Sequence, residues 1–131
     1  MIKFAKPAFA GTALLCLALT PALARRAHAQ AMPKGDPALG KTLYQACMGC
    51  HSVDENDIGP KHRGVVGRKA GIVPGYNYSV AVKNSGIIWT PEKLNLWLTN
   101  PQKLVPGAKM FFSVANPKQR ADIIAYLGTQ K

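Results

Sequence analysis

Five consecutive residues, Cys47-Met48-Gly49-Cys50-His51, restrict the architecture of this chain more than any other part of it. The C-x-x-C-H spacing is the attachment pattern for c-type haem. Cysteines three residues apart, about one helical turn, set both sulfurs on one side of the chain. From there the thiols can form thioethers with the two vinyl groups on one side of a porphyrin. The adjacent His51 then places its imidazole under the iron. Other uses of a cysteine pair fit less well. A disulfide or a thioredoxin-like redox pair leaves His51 without a task, and a thioredoxin-like site needs a βαβ setting. A zinc ribbon needs a second pair of ligands.

The first 29 residues read as an export signal and not as part of the fold. Lys3 and Lys6 precede an apolar run from Ala8 to Leu19, which Pro21 ends. The run is too short to span a bilayer comfortably. Ala-Leu-Ala at 22–24 and Ala-His-Ala at 27–29 both fit a cleavage site. Cleavage after Ala29 is preferred and cleavage after Ala24 is the alternative. The third cysteine, Cys16, lies within the apolar run and leaves with it. The expected organisation is a signal at 1–29 and one domain at 30–131, in the periplasm.

The whole chain carries 17 Lys and Arg against 6 Asp and Glu, a formal charge of +11. Loss of Lys3, Lys6, Arg25 and Arg26 with the signal leaves it at +7. A basic protein meets acidic partners or anionic surfaces. The bases are scattered and not interleaved with aromatics, so nucleic acid is not an expected partner.

Along the mature chain, Asp36-Pro37 reads as an N-cap and first helical residue, with a helix running towards Cys47. Residues 52–78 are broken by Gly59-Pro60, Gly64, Gly67, Gly71 and Pro74-Gly75, which excludes long helices and sheet. A loop of that length is uncommon in a compact domain unless it wraps something. Ser79 to Lys83 fits a short helix. Thr90-Pro91-Glu92 opens another helix, with Leu94, Trp97 and Leu98 as its apolar face, ending near Asn100-Pro101. Asn116-Pro117 opens the last, with Ile123, Ile124, Tyr126 and Leu127 at its apolar positions. The fold class is small all-α: three main helices, short helices and long loops around one haem.

A six-coordinate haem needs a ligand across from His51. Met32, Met48, Met110 and His62 are available. Met48 is locked beside the thioethers. Met110 follows Val105-Pro106-Gly107-Ala108-Lys109, a rigid loop suited to delivering a sulfur. The residues alone leave Met110 open between ligation and packing.

From Gly35 to Leu127 the sequence resembles class I cytochromes c of the mitochondrial and related bacterial type. The resemblance rests on Gly40, Cys47-x-x-Cys50-His51, Gly59-Pro60, Gly67-Arg68, Pro74-Gly75-Tyr76-Asn77-Tyr78, Trp89, Asn100-Pro101, Pro106-Gly107-x-Lys109-Met110 and Ala125-Tyr126-Leu127, in that order. It implies His51 and Met110 as the axial pair. It implies that the Pro60 carbonyl orients the His51 ring and that Arg68, Tyr78 and Trp89 surround the propionates. It further implies that Gly40 lets the first and last helices cross beside Tyr44 and Tyr126, and that Phe112 covers the haem near Met110.

The chain departs from the pattern at several places. Trp97, Ala108 and Val82 stand where the family usually has tyrosine, threonine and asparagine, groups that hold a water on the distal side. Their joint presence predicts a drier, less hydrogen-bonded sulfur at Met110 and a raised reduction potential. Trp97 thereby joins the site residues. His62 replaces a haem-packing leucine on the His51 side, and is expected to pack or reach solvent instead of ligating. The segment between His51 and Pro60 is shorter than in mitochondrial relatives.

The implied activity is one-electron transfer by a soluble carrier, not an enzyme. The implied partners are redox proteins such as a quinol-oxidising complex, a terminal oxidase, a reaction centre or a dehydrogenase. Docking would be weak and transient, at the haem edge near Lys41, Lys103 and Lys109, with the carrier a monomer. A peroxidase or gas-binding protein would instead require Met110 to be absent or labile. A tethered subunit of a larger dehydrogenase or oxidase would require an exposed apolar patch.

Overall fold

A computed structural model describes residues 31–131. The expected export signal at 1–29, with both candidate cleavage positions, lies outside the described residues. Five α-helices follow in order: α1 (Pro37–Leu43), α2 (Val80–Asn84), α3 (Pro91–Thr99), α4 (Pro101–Leu104) and α5 (Pro117–Thr129). Among the described residues none is long and apolar enough to cross a membrane.

Helices begin where a polar cap meets a proline. The Asp36 carboxylate accepts from the amides of Ala38 and Leu39 at 2.8 and 3.2 Å. Thr90 Oγ1 accepts from Lys93 N at 3.2 Å, and Asn116 Oδ1 from Lys118 N at 2.8 Å. In each case the next residue is proline, whose fixed φ suits the first helical position and whose missing N–H costs nothing there. α1 stops sooner than its cap alone would require. After Leu43 the chain tightens into a 3-10 turn, Tyr44–Cys47, so the helix does not run unbroken into the cysteines.

α1 and α5 make the principal helix contact. A Cβ at Gly40 would lie 1.9 Å from the Asp122 carbonyl oxygen and 2.8 Å from Tyr126 Cβ, so only glycine permits this approach. Tyr44 and Tyr126 pack beside the crossing with ring centroids 5.2 Å apart. Asp122 is buried there. It accepts a hydrogen bond from Asp36 N at 2.6 Å and pairs with Lys118.

The core joins Ile123, Ile124 and Leu127 of α5 to Leu94 and Leu98 of α3, with Tyr44, Trp89 and Val65. Strand pairing is confined, among the described residues, to a bridge between Lys69 and Ile88. Its flanking bonds, Ala70 N to Ile87 O at 2.8 Å and Trp89 N to Arg68 O at 2.9 Å, hold Arg68 and Trp89 side by side. A second departure from the sequence expectation lies after α3. Asn100-Pro101 ends that helix and also starts α4, because Asn100 Oδ1 accepts from Lys103 N at 2.9 Å.

Candidate functional site

The helices and the 52–78 loop enclose a mostly apolar cavity of about 410 Å³. All ten site residues named from the sequence line it: Cys47, Cys50, His51, Pro60, Arg68, Tyr78, Trp89, Trp97, Met110 and Phe112. Of the three lysines assigned to docking, Lys109 lines it as well. Lys41 and Lys103 are exposed on α1 and α4, away from the lining.

The 3-10 turn shapes one wall. Cys50 N and His51 N both donate to Cys47 O, at 3.1 and 2.9 Å, which curls the two thiols and the imidazole together. Neither cysteine is in a disulfide. His51 Nδ1 lies 2.8 Å from Pro60 O. A carbonyl can only accept, so Nδ1 carries the proton and Nε2 is left with its lone pair. Desolvation lowers the His51 pKa, partly opposed by this bond, so the neutral form dominates at neutral pH. Gly59 is pressed against the ring: a Cβ there would meet His51 Cε1 at 2.1 Å.

His62 packs on the other partner of this wall. Its ring stacks on His51 with centroids 4.1 Å apart and planes 20° from parallel. Its Nδ1 is 2.9 Å from the Tyr44 hydroxyl. Burial, reinforced by the charges of His51 and Arg68, pushes its pKa down to about 3. The histidine is a neutral packing group here.

Met110 enters the cavity from the segment after α4. Trp97 Nε1 donates to Met110 Sδ at 3.1 Å. This corrects the expectation of a less hydrogen-bonded sulfur. Ala108 and Val82 are buried and offer no polar side chain, yet the indole N–H supplies a donor where tyrosine would have supplied a hydroxyl. A thioether sulfur has two lone pairs, so one remains for another partner.

Arg68 is half-buried. Its guanidinium donates to Arg63 O and Lys61 O, both at 2.8 Å. Desolvation lowers its pKa. The salt bridges among the described residues are Arg63–Asp54 and Lys118–Asp122, so no carboxylate among these residues pairs with Arg68. Tyr78 is half-buried, edge-on to Tyr76 at 4.6 Å, and Trp89 is buried and tilted against Trp97 at 5.2 Å. Phe112 and Lys109 are exposed members of the lining. Lys109 Nζ donates to Asn77 O at 2.6 Å, a tie between two segments of the cavity wall.

The cytochrome c family model matches residues 37–131. The chain belongs to the cytochrome c family. It is 52% identical over 103 residues to a cytochrome c2 of Rhodopila globiformis, spanning 76% of this chain and 97% of that protein. A cytochrome c2 of Rhodomicrobium vannielii is 46% identical over 106 residues, 78% and 85% of the two chains. Among solved structures, cytochrome cH from Methylobacterium extorquens superposes with a TM-score of 0.71 at 46% identity, covering 72% of this chain and 99% of its own. Ferricytochrome c2 from Rhodopseudomonas palustris gives 0.70 at 36%, covering 73% and 99%. The fold is the all-α cytochrome c fold, and members of this class I family are electron carriers and not enzymes.

The cofactor is haem c, bonded through Cys47 and Cys50. The residues fit it on three counts. Two cysteine sulfurs outside any disulfide and an imidazole with an available Nε2 share one wall. The cavity is apolar and of cofactor size. The Arg68 guanidinium suits an acidic group that the described residues do not supply.

Two residues important to the wall were not found from sequence. Gln102 holds the backbone of the segment carrying Met110, and Arg120 holds Val114 and Ala115, which follow it. No motif marks them. Their only signal is polarity beside an apolar helix face.

Proposed function

We propose that the protein is an exported, soluble, monomeric one-electron carrier of the periplasm, residues 30–131 after removal of 1–29, whose haem iron is ligated by His51 and Met110. The observation that carries this reading is a single cavity lined by both the available Nε2 of His51 and the thioether of Met110. When bound, haem c supplies a one-electron ferrous–ferric couple. His51 is oriented by Pro60 O, confined by Gly59 and backed by His62. Met110 is oriented by Trp97. Arg68 offers half-buried positive charge to the propionates, with Tyr78 and Trp89 beside it. The apolar walls exclude water, which keeps reorganisation small when charge changes.

Partners are redox proteins. A quinol-oxidising complex, a reaction centre, a terminal oxidase or a dehydrogenase suits a chain close to cytochromes c2. Docking is transient, at the cavity mouth near Lys109 and Phe112, with Lys41 and Lys103 contributing charge steering from further away.

The test is optical. Ferric protein should show the weak far-red band of a methionine sulfur on haem iron, and the ferrous form should not take up carbon monoxide. Met110→Ala should abolish the band and admit carbon monoxide. A wild type without the band that binds carbon monoxide rapidly would overturn the reading in favour of peroxidase or gas-binding chemistry.

A further inference from the structure

The segment from Pro106 to Ser113 has little backbone structure of its own. Among the described residues its one backbone–backbone hydrogen bond is Ala108 N to Val105 O at 3.1 Å. A single side chain supplies what the backbone does not. Gln102 Nε2 donates to Ala108 O and to Met110 O, both at 2.8 Å, and Gln102 Oε1 accepts from Gly107 N at 3.3 Å. Two donors meet two acceptors and one acceptor meets one donor. The reversed amide would set an oxygen against two carbonyls, so the network itself fixes the orientation.

The base of this arrangement is rigid. Gln102 sits on α4, whose start is held by the Asn100 cap and by buried Pro101. Gly107, at φ +87°, turns the strap back over the amide, a conformation that side-chained residues rarely adopt. The side chain is half-buried, so water competes poorly for the two carbonyls. Trp97 holds the tip of Met110 at its sulfur, and Gln102 holds its root at the carbonyl.

We infer that Gln102 is a positioning residue, a latch that keeps the Met110 strap closed and so denies outside ligands the site across from His51. This rests on the reading that Met110 is the axial ligand. The latch acts on the open–closed equilibrium of the strap, because its three partners all lie within the strap. Losing net hydrogen bonds of ordinary strength should raise the open population about ten- to a hundredfold.

The experiment titrates purified ferric holoprotein with imidazole, following the far-red methionine band, for wild type, Gln102→Ala and the isosteric Gln102→Glu. Thermal unfolding by far-UV circular dichroism is recorded alongside. Both variants should bind imidazole at least tenfold more tightly than wild type, and should lose the band well below the temperature of global unfolding. Glutamate fills the same space but sets oxygens against two carbonyls, so a packing role would leave it silent. A wild type that lacks the band overturns the axial reading, and the latch with it. A wild type with the band and unchanged imidazole binding in both variants overturns the latch alone. If neither variant matures, hydrogen exchange on wild-type holoprotein decides: the Gly107 amide should be protected, and free exchange there overturns the latch.

Discussion

Where α1 crosses α5, backbone lies directly against backbone, with no room for one added carbon at Gly40. Around the cavity the chain runs through turns and short helices, and long side chains hold it instead. Arg68 reaches the carbonyls of Arg63 and Lys61, Tyr76 Oη donates to Ile58 O at 2.7 Å, Gln102 binds the strap, and Arg120 Nη1 donates to Val114 O and Ala115 O at 2.7 and 2.8 Å. Steric closeness fixes a shape absolutely, whereas a hydrogen bond from a mobile side chain contributes only modestly and can be remade. Damage at the crossing should therefore appear as lost stability with an intact site. Damage at the cavity wall should appear as an altered site with stability nearly kept.

The largest expected effect is at the crossing. Gly40→Val drives a branched side chain into the Asp122 carbonyl and the Tyr126 Cβ, and should destabilise the fold by about 3 kcal/mol or more. Denaturant unfolding checks it, and the far-red band of the surviving folded fraction should be unchanged. An unaltered unfolding midpoint would break the distinction between the two regions.

Next comes the wall. Trp97→Phe removes the N–H that withdraws electron density from the Met110 sulfur. On the proposed ligation by Met110, a thioether relieved of that bond donates better to ferric iron, so the reduction potential should fall by roughly 20–60 mV, one ordinary hydrogen bond expressed for one electron. Voltammetry measures it. A rise, or no change, would mean that the indole only packs.

The smallest effect tests the polar part of the crossing. Lys118, and then the Asp36 amide, hold the Asp122 carboxyl below its ordinary value of 3.8. A carboxylate depressed in the folded state contributes stability above the unfolded pKa, and loses it as pH falls through the folded one. Asp122→Asn should therefore be less stable than wild type near neutrality, with the gap closing below about pH 4. A gap constant across an acid series of melting curves would show that charge plays no part there.

Much of this was legible in advance, for local reasons. Caps and prolines are adjacent in sequence, so Asp36-Pro37, Thr90-Pro91 and Asn116-Pro117 announced their helices. The five residues Cys47 to His51 are contiguous, so their chemistry could be read directly. Met110 was different: spacing left it undecided, and only the order of motifs along the whole chain pointed to ligation. What stayed hidden depends on where long side chains turn. Asn100 was read as a stop because its second role, capping α4, looks identical in sequence. Gln102 went unmarked, since nothing in a pattern shows a side chain folding back on backbone up to eight residues ahead. Trp97 looked like the loss of a polar group because its ring was weighed and its N–H was not. Asp122, on the buried face of α5, has the letter of a surface residue.

The hydrogen bond from Asp36 N to Asp122 bears also on how the chain reaches this form, since it joins residues 86 positions apart. Loop-closure entropy grows only logarithmically with length, so drawing these ends together is less costly than the separation suggests. Contacts of such long range nonetheless slow the search, because the chain must find them before they stabilise anything. Once α1 and α5 have met, everything between them is a closed loop tethered at both ends. The segments that become the walls of the cavity then organise within a confined volume instead of from a free chain.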